Sequence, residues 1–201
     1  MGYAIADNLA QRGFAVTLVS GPTHLPPPHG VHFLPINTAC ELFDAVKREL
    51  TDVDLFFSVA AVADYTPAAP KAEKMKKSAD RLRLDLVPTA DVLAWAASQP
   101  DAPFCVGFAA ESHNIADFAA KKRQKKKIPL IVANHAQSAI AADDNEVLLI
   151  DDAGTHPISR ASKVDIAAKV VDHAIKLFEQ SRSSPTKRKQ DGAPTTRAKV
   201  R

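Results

Sequence analysis

The chain has 201 residues and is 46% hydrophobic, a size and composition that suit one domain with a proper apolar core. Its net charge of +3 is unevenly placed: residues 181–201 carry seven Lys or Arg against Asp191 alone, while the first 180 residues hold 19 bases and 22 acids. Cys40 and Cys105 stand far apart without a CxxC, which excludes a disulfide framework and a cysteine zinc site, and no basic leader or apolar run of about eighteen residues is present, so the expectation is a cytoplasmic protein with no membrane partner.

Residues 3–12 pattern as a helix, with Ile5 and Leu9 on one face and Gly13 placed to end it. FAVTLVS, 14–20, reads as a buried parallel strand closed by Gly21-Pro22 and the prolines at 26–28. VHFLPI, 31–36, reads as a short strand that Pro35 either moves toward a sheet edge or leaves paired only at its first residues. Thr38 and Glu41 make a capping box that opens a helix over 38–50, and Leu42, Phe43, Val46 and Leu50 form its apolar stripe. DLFFSVAA, 54–61, is a central strand by its unbroken apolar character. It ends at small residues, and Asp64 and a proline-containing loop with Lys74, Lys76 and Lys77 follow.

RLRLDLV, 81–87, alternates charged and apolar residues, as a half-exposed strand in a hairpin or at an edge would. Thr89 is placed to cap a helix over 90–98 carrying Val92, Leu93 and Trp95, which Pro100 and Pro103 stop. PFCVGFAAE, 103–111, and IPLIVAN, 128–134, are core strands. Between them a helix over 112–127 turns Ile115, Phe118 and Ala119 inward and ends in KKRQKKK. The helix dipole favours cations there by roughly 0.3–1 kcal/mol each, which is a plain structural reason for the run. EVLLIDDAG, 146–154, enters a hairpin. A last helix, 160–179, carries Val164, Ala168, Val171, Ile175 and Phe178, with Ser159 or Ser162 as its cap. The polar, basic composition beyond Gln180 predicts a disordered tail over 181–201 behind a domain of residues 1–180. The alternation of helix and strand predicts a three-layer α/β fold with a mainly parallel sheet.

No GxGxxG or P-loop is present, which argues against a nicotinamide or P-loop enzyme, and the seven histidines show no HExxH, so no metal site is expected. In an open α/β sheet, ligands bind beyond the carboxyl ends of the strands. Asp64 either braces the turn after its strand or accepts hydrogen bonds from a sugar or a base amino group. Lys74, Lys76 and Lys77 are either a solvated basic loop or a loop that closes to neutralise a phosphorylated transition state. Lys122 and Lys126, four apart, share one helical face, where like charges cost a few tenths of a kcal/mol unless an anion binds between them. With Phe108, these residues all fall after or near successive strand ends.

The motifs VTLVSGP (16–22), AAVADY (60–65), EKMKK (73–77), VGFAAE (106–111), the KKRQKKK helix end and IVAN (131–134) occur in an order and spacing that resemble the phosphopantothenate-cysteine ligases, or phosphopantothenoylcysteine synthetases, of coenzyme A biosynthesis. The resemblance covers residues 1 to about 180. It implies a Rossmann-like fold and a two-step reaction: a nucleoside triphosphate, CTP in most bacterial members and otherwise ATP, activates the carboxylate of 4′-phosphopantothenate as an acyl-nucleotidyl intermediate, and the amine of cysteine then displaces the nucleotide. It further implies Mg2+ with the triphosphate, a homodimer, and no flavin in this chain. By position, Ser58, Val59 and Ala60 line the nucleotide site, Asp64 contacts the nucleotide, and Lys74 stabilises charge around the acyl-nucleotide. Thr89, Ala90, Asp91 and Val92 stand where the family has Asn-Pro-Asp-Ile, the first two departing from it. Phe108, Lys122 and Lys126 match base- and phosphate-side contacts. The family's first strand, its Gly-Gly-Thr triphosphate turn and an Asn-x-Ser-Ser-Gly segment with a catalytic Asn are absent from the sequence, so the expectation is a sheet short of one central strand. The alternative is a non-catalytic nucleotide-binding or interaction protein that keeps the fold. Nothing in the tail resembles a nucleic-acid-binding motif.

Overall fold

The computed structural model describes residues 1–71, 73–77, 81–135, 144–183 and 197–200. Helix α1 (Gly2–Gln11) turns Ile5, Ala6 and Leu9 inward and stops before Gly13, whose φ of 85° lets the chain reverse into β1 (Ala15–Ser20). Strand β2 (Val31–Pro35) lies parallel to β1 at the sheet edge, where the missing N–H of Pro35 costs no ladder bond. Helix α2 (Ala39–Glu49) opens on Thr38, whose Oγ1 accepts from the Glu41 N–H at 3.1 Å, while the Glu41 carboxylate accepts from the Asn37 N–H at 2.7 Å, one residue earlier than a standard capping box. Strand β3 (Leu55–Ser58) is buried along its whole length.

A short antiparallel ribbon, β4 (Tyr65–Pro67) with β5 (Leu86–Pro88), stands apart from the main sheet. Helix α3 (Val92–Ala97), β6 (Phe104–Glu111), α4 (Ile115–Lys126) and β7 (Leu130–His135) follow in the expected alternation. The hairpin β8 (Asp144–Ile150) and β9 (Thr155–Ser162) then leads into α5 (Lys163–Ser183), and β10 (Arg197–Val200) ends the described chain. The main sheet has the order β2-β1-β10-β3-β6-β7-β8-β9, parallel from β2 to β7 and antiparallel in β8 and β9.

Alternate strand residues feed two cores, one on each face of the sheet. Leu55 and Phe57 pack with α1 and α5, through Leu9, Ile166 and Val170. Phe56, between them, faces α2, α3 and α4, through Val46, Leu93 and Ala119. This is the predicted three-layer α/β arrangement. On the second face α3 and the segment before β7 close tightly on β6 at Gly107, where a Cβ would come within 2.7 Å of Ile128 Cδ1 and 2.9 Å of Leu93 Cδ2.

Several expectations are corrected. Residues 181–183 continue α5, and Arg197–Val200 form a strand between β1 and β3, so the central position expected to be empty is filled from the C-terminal side; residues 184–196 and 201 of the expected tail lie outside the described residues. Ala198 and Val200 are fully buried there, which repays the ordering of an otherwise polar segment. Asp91 rather than Thr89 caps α3, its Oδ1 accepting from the Ala94 N–H at 3.0 Å. Phe118 and Val164 are 37% and 64% exposed rather than inward; α5 buries Val171 as expected, with Ile175 and Phe178 packed against the core, and adds Ile166, Ala167, Val170 and Ala174. Of 81–87, only Leu86 and Val87 enter a strand, while Leu82 and Leu84 are exposed.

Candidate functional site

Strands β3, β6 and β7 run parallel and in register, so their carboxyl ends share one edge of the sheet. A cavity of about 890 Å3 opens there. The end of β3 supplies Ser58, Val59 and Ala60, whose small side chains leave the backbone approachable. The loop beyond adds Asp64, β6 adds Phe108, the start of α3 adds Asp91 and Val92, and α4 adds Lys122 and Lys126. The structure therefore gathers nine of the ten residues singled out from the sequence into one cavity. Lys74 is the exception: it is exposed, in the segment between the two strands of the β4–β5 ribbon, and is not part of the cavity wall.

Asp91 does two jobs. One carboxylate oxygen caps α3 and the other pairs with Lys126, whose side chain is only 14% exposed, so α3 and α4 are clamped across one side of the cavity. Lys122 lies one turn earlier on the same face of α4 and is half-buried. The rest of the basic run divides by function: Arg123 donates to the carbonyls of Ile128 and Pro129 and pairs with Asp152 at 2.7 Å, while Lys121, Lys125 and Lys127 face solvent. Thus two cations of the run serve the cavity and one anchors the helix.

The two readings of Asp64 separate here. The turn is braced by the main chain, since the Asp64 carbonyl accepts from the Thr89 N–H at 2.9 Å and the Ala63 carbonyl from Thr89 Oγ1 at 2.6 Å. The Asp64 carboxylate makes no hydrogen bond among the described residues and lines the cavity, available as an acceptor.

Sequence reasoning did not single out Asn134, Asn145 or Lys163, which also line the cavity. Asn134 sits in the IVAN motif at the end of β7, the only signal for any of the three. Asn145 is 5% exposed near the start of β8, where the antiparallel pairing of β8 with β7 brings it to the same edge; its Oδ1 accepts from the Glu146 N–H at 2.9 Å. The cavity thus offers three lysines, two amides, one available carboxylate and an apolar wall of Phe108, Leu93, Val132 and Val147, a surface suited to an anionic ligand with a flat apolar part. No helix among the described residues is long and apolar enough to cross a membrane.

Comparison with known proteins agrees with this architecture. The chain is 39% identical over 181 residues to the coenzyme A biosynthesis bifunctional protein CoaBC of Vibrio cholerae, covering 87% of this chain and 45% of that protein. It is 35% identical over 187 residues to CoaBC of Escherichia coli, covering 90% and 46%. The chain therefore spans about half the length of the curated relatives it matches. The crystal structure of the C-terminal domain of CoaBC superposes with a TM-score of 0.75 at 30% identity, over 89% of this chain and 82% of that one. Residues 1–177 match the family described as the DNA/pantothenate metabolism flavoprotein C-terminal domain, and the chain belongs to that family.

Proposed function

We propose that the chain is a ligase domain that joins 4′-phosphopantothenate and cysteine into phosphopantothenoylcysteine through an acyl-nucleotidyl intermediate, with CTP preferred over ATP. The observation that carries this reading is the meeting of nine motif positions in one cavity at the carboxyl edge of the sheet. A carboxylate resists attack by an amine until it carries a good leaving group, and a nucleotide provides one.

Lys122 and Lys126 hold phosphate oxygens by charge-assisted hydrogen bonds, and Asp91 keeps Lys126 in position before the nucleotide arrives. The ring of Phe108 packs on the base. Asp64 accepts from an exocyclic amine or a ribose hydroxyl, groups that CTP and ATP share, and the preference for CTP rests on the family resemblance. Lys74 reaches the activated acyl group only when its loop folds over the cavity, in keeping with its exposed position. Magnesium, when bound, screens the triphosphate charge. Such an ion would be held mainly by phosphate oxygens and water, with no residue of this chain assigned to it. We also propose a homodimer in the cytoplasm. The exposed apolar side chains of Tyr65, Leu82, Leu84 and Leu86 in and beside the β4–β5 ribbon are a surface that a second copy would cover.

A second reading, nucleotide binding without ligation, is favoured by one feature: β10 occupies the central position for which the resemblance calls for a strand followed by a triphosphate turn. Pyrophosphate release with 4′-phosphopantothenate, magnesium, and CTP or ATP in parallel tests both. Release that depends on phosphopantothenate establishes the ligase half-reaction. Its absence, both in this chain and in one extended by the upstream reading frame, overturns the ligase reading, and calorimetric binding of CTP without release supports the second.

A further inference from the structure

The opposite edge of the sheet carries a second constellation. Because β8 is antiparallel to β7, its last residue, Ile150, pairs with Ile131 near the start of β7, and Asp151 follows at the pole away from the cavity. Asp151 is 6% exposed. Its Oδ1 accepts from the N–H groups of Ala153 at 2.7 Å and Gly154 at 3.1 Å, which fixes the carboxylate within the β8–β9 turn. His156, on β9, brings Nε2 to 3.1 Å from Oδ1, and His173, on α5, brings Nε2 to 2.7 Å from Oδ2. The ring centroids are 4.9 Å apart, and the three ligand atoms lie within 4.8 Å of one another. No Lys or Arg pairs with Asp151 among the described residues, so a buried carboxylate faces two imidazoles and no permanent cation.

We propose that Asp151, His156 and His173 form a binding site for a divalent transition cation of the zinc type, with water completing the coordination on the side where His156 is exposed. Tetrahedral zinc with nitrogen and oxygen ligands at its usual bond lengths places them about 3.3 Å from one another. The His156 and His173 separations from the carboxylate, 3.1 and 2.7 Å, are shorter than that value and the two imidazole nitrogens lie within 4.8 Å of each other, so the three side chains are close enough to share one cation once the imidazoles turn away from the carboxylate. Two imidazole nitrogens and one carboxylate suit zinc, cobalt or nickel and not the oxygen-seeking magnesium or calcium. The backbone N–H groups on Oδ1 are the kind of supporting hydrogen bond that orients a ligating carboxylate. The bound ion would tie the β8–β9 turn to α5, which the hydrogen bond between Asp151 and His173 already joins.

The test is calorimetric titration of the chelator-treated chain with Zn2+, and with Co2+ followed by visible absorption. One Zn2+ per chain, an increase in melting temperature on binding, and Co2+ bands of tetrahedral intensity are expected. His156→Gln and His173→Gln each keep an amide donor toward Asp151, which protects the fold. Each should weaken Zn2+ binding about 100-fold or more, because loss of one of three protein ligands exceeds disturbance of a supporting partner. A double variant of two exposed histidines elsewhere, His29→Ala before β2 with His32→Ala on it, should bind as the parent does. No saturable binding by the parent, unchanged affinity in both Gln variants, or loss of binding in the His29/His32 double variant would each overturn the site and leave a hydrogen-bonded Asp–His clamp in its place.

Discussion

Val200 tests whether the C-terminal strand belongs to the fold. It is fully buried in the core shared with α1 and α5, between Leu18 of β1 and Phe57 of β3. Val200→Ala removes two methyl groups at about 0.8 kcal/mol each and leaves a cavity, a loss of about 1.5–3 kcal/mol. In a domain of this size each kcal/mol moves the melting temperature by roughly 2–4 °C, so a decrease of about 3–12 °C is expected. Val164→Ala is the matched control, the same chemical change at a side chain 64% exposed, and should stay within about 0.5 kcal/mol of the parent. Thermal melts by far-ultraviolet circular dichroism in one buffer give the comparison. Truncation after residue 196 goes further. It opens the facing edges of β1 and β3 and removes Ala198 as well, and a broad, non-cooperative melt should result. Equal shifts for Val200→Ala and Val164→Ala, or a truncated chain that melts like the parent, would refute the central placement of β10.

Lys126→Met removes a phosphate-side cation and the partner of Asp91. CTP affinity measured by calorimetry should fall about tenfold or more, while the melting temperature changes little, since Asp91 is half exposed and such pairs contribute at most about 1 kcal/mol. Lys74→Ala should leave CTP affinity within about tenfold yet cripple pyrophosphate release in whichever form of the chain is active; unchanged turnover would remove Lys74 from the mechanism. Burial pushes the Cys105 thiol up to about 12, so it carries no thiolate near neutral pH. A thiol reagent should titrate the exposed Cys40 alone in the native chain, and both cysteines after denaturation. The proton that Cys105 keeps on folding contributes stability that is complete below its ordinary value of 9.0 and is lost as the pH rises toward 12, a fall that Cys105→Ala should flatten in melts run over that range. Gly107→Ala should cost about 1–3 kcal/mol in urea unfolding, because the added methyl meets Ile128 and Leu93, both buried; a neutral result would mean that α3 yields at that point.

Much of the layer architecture was legible because the apolar periods of strands and helices are local, the placement of Asp64 and Phe108 by the cavity because ligand sites follow parallel strand ends, and that of Ser58 through the family resemblance. What failed depended on neighbours. Thr89 and Asp91 are both capable caps, and Asp91 has the task because it immediately precedes Val92, the first helical residue, while Thr89 lies two residues earlier and donates its hydroxyl to the Ala63 carbonyl. In the first turns of α5 Val164 and Ala168 have the same spacing as Ile166 and Val170, and packing selects the second pair, while Val171, Ile175 and Phe178 of the expected stripe do reach the core. β10 has two inward apolar residues in a polar, basic segment. A composition window averages them away, whereas the gap between β1 and β3 pairs the strand on both sides. Strand direction was the hardest to read. A period of two is the same for parallel and antiparallel strands, yet the antiparallel course of β8 sets both of its functional ends. It places Asn145 at the cavity and Asp151 at the far pole, where the hairpin and α5 deliver His156 and His173 from five and twenty-two residues further on. A parallel strand of the same composition would exchange those two ends, so the buried carboxylate would enter the cavity and the amide would face the histidines.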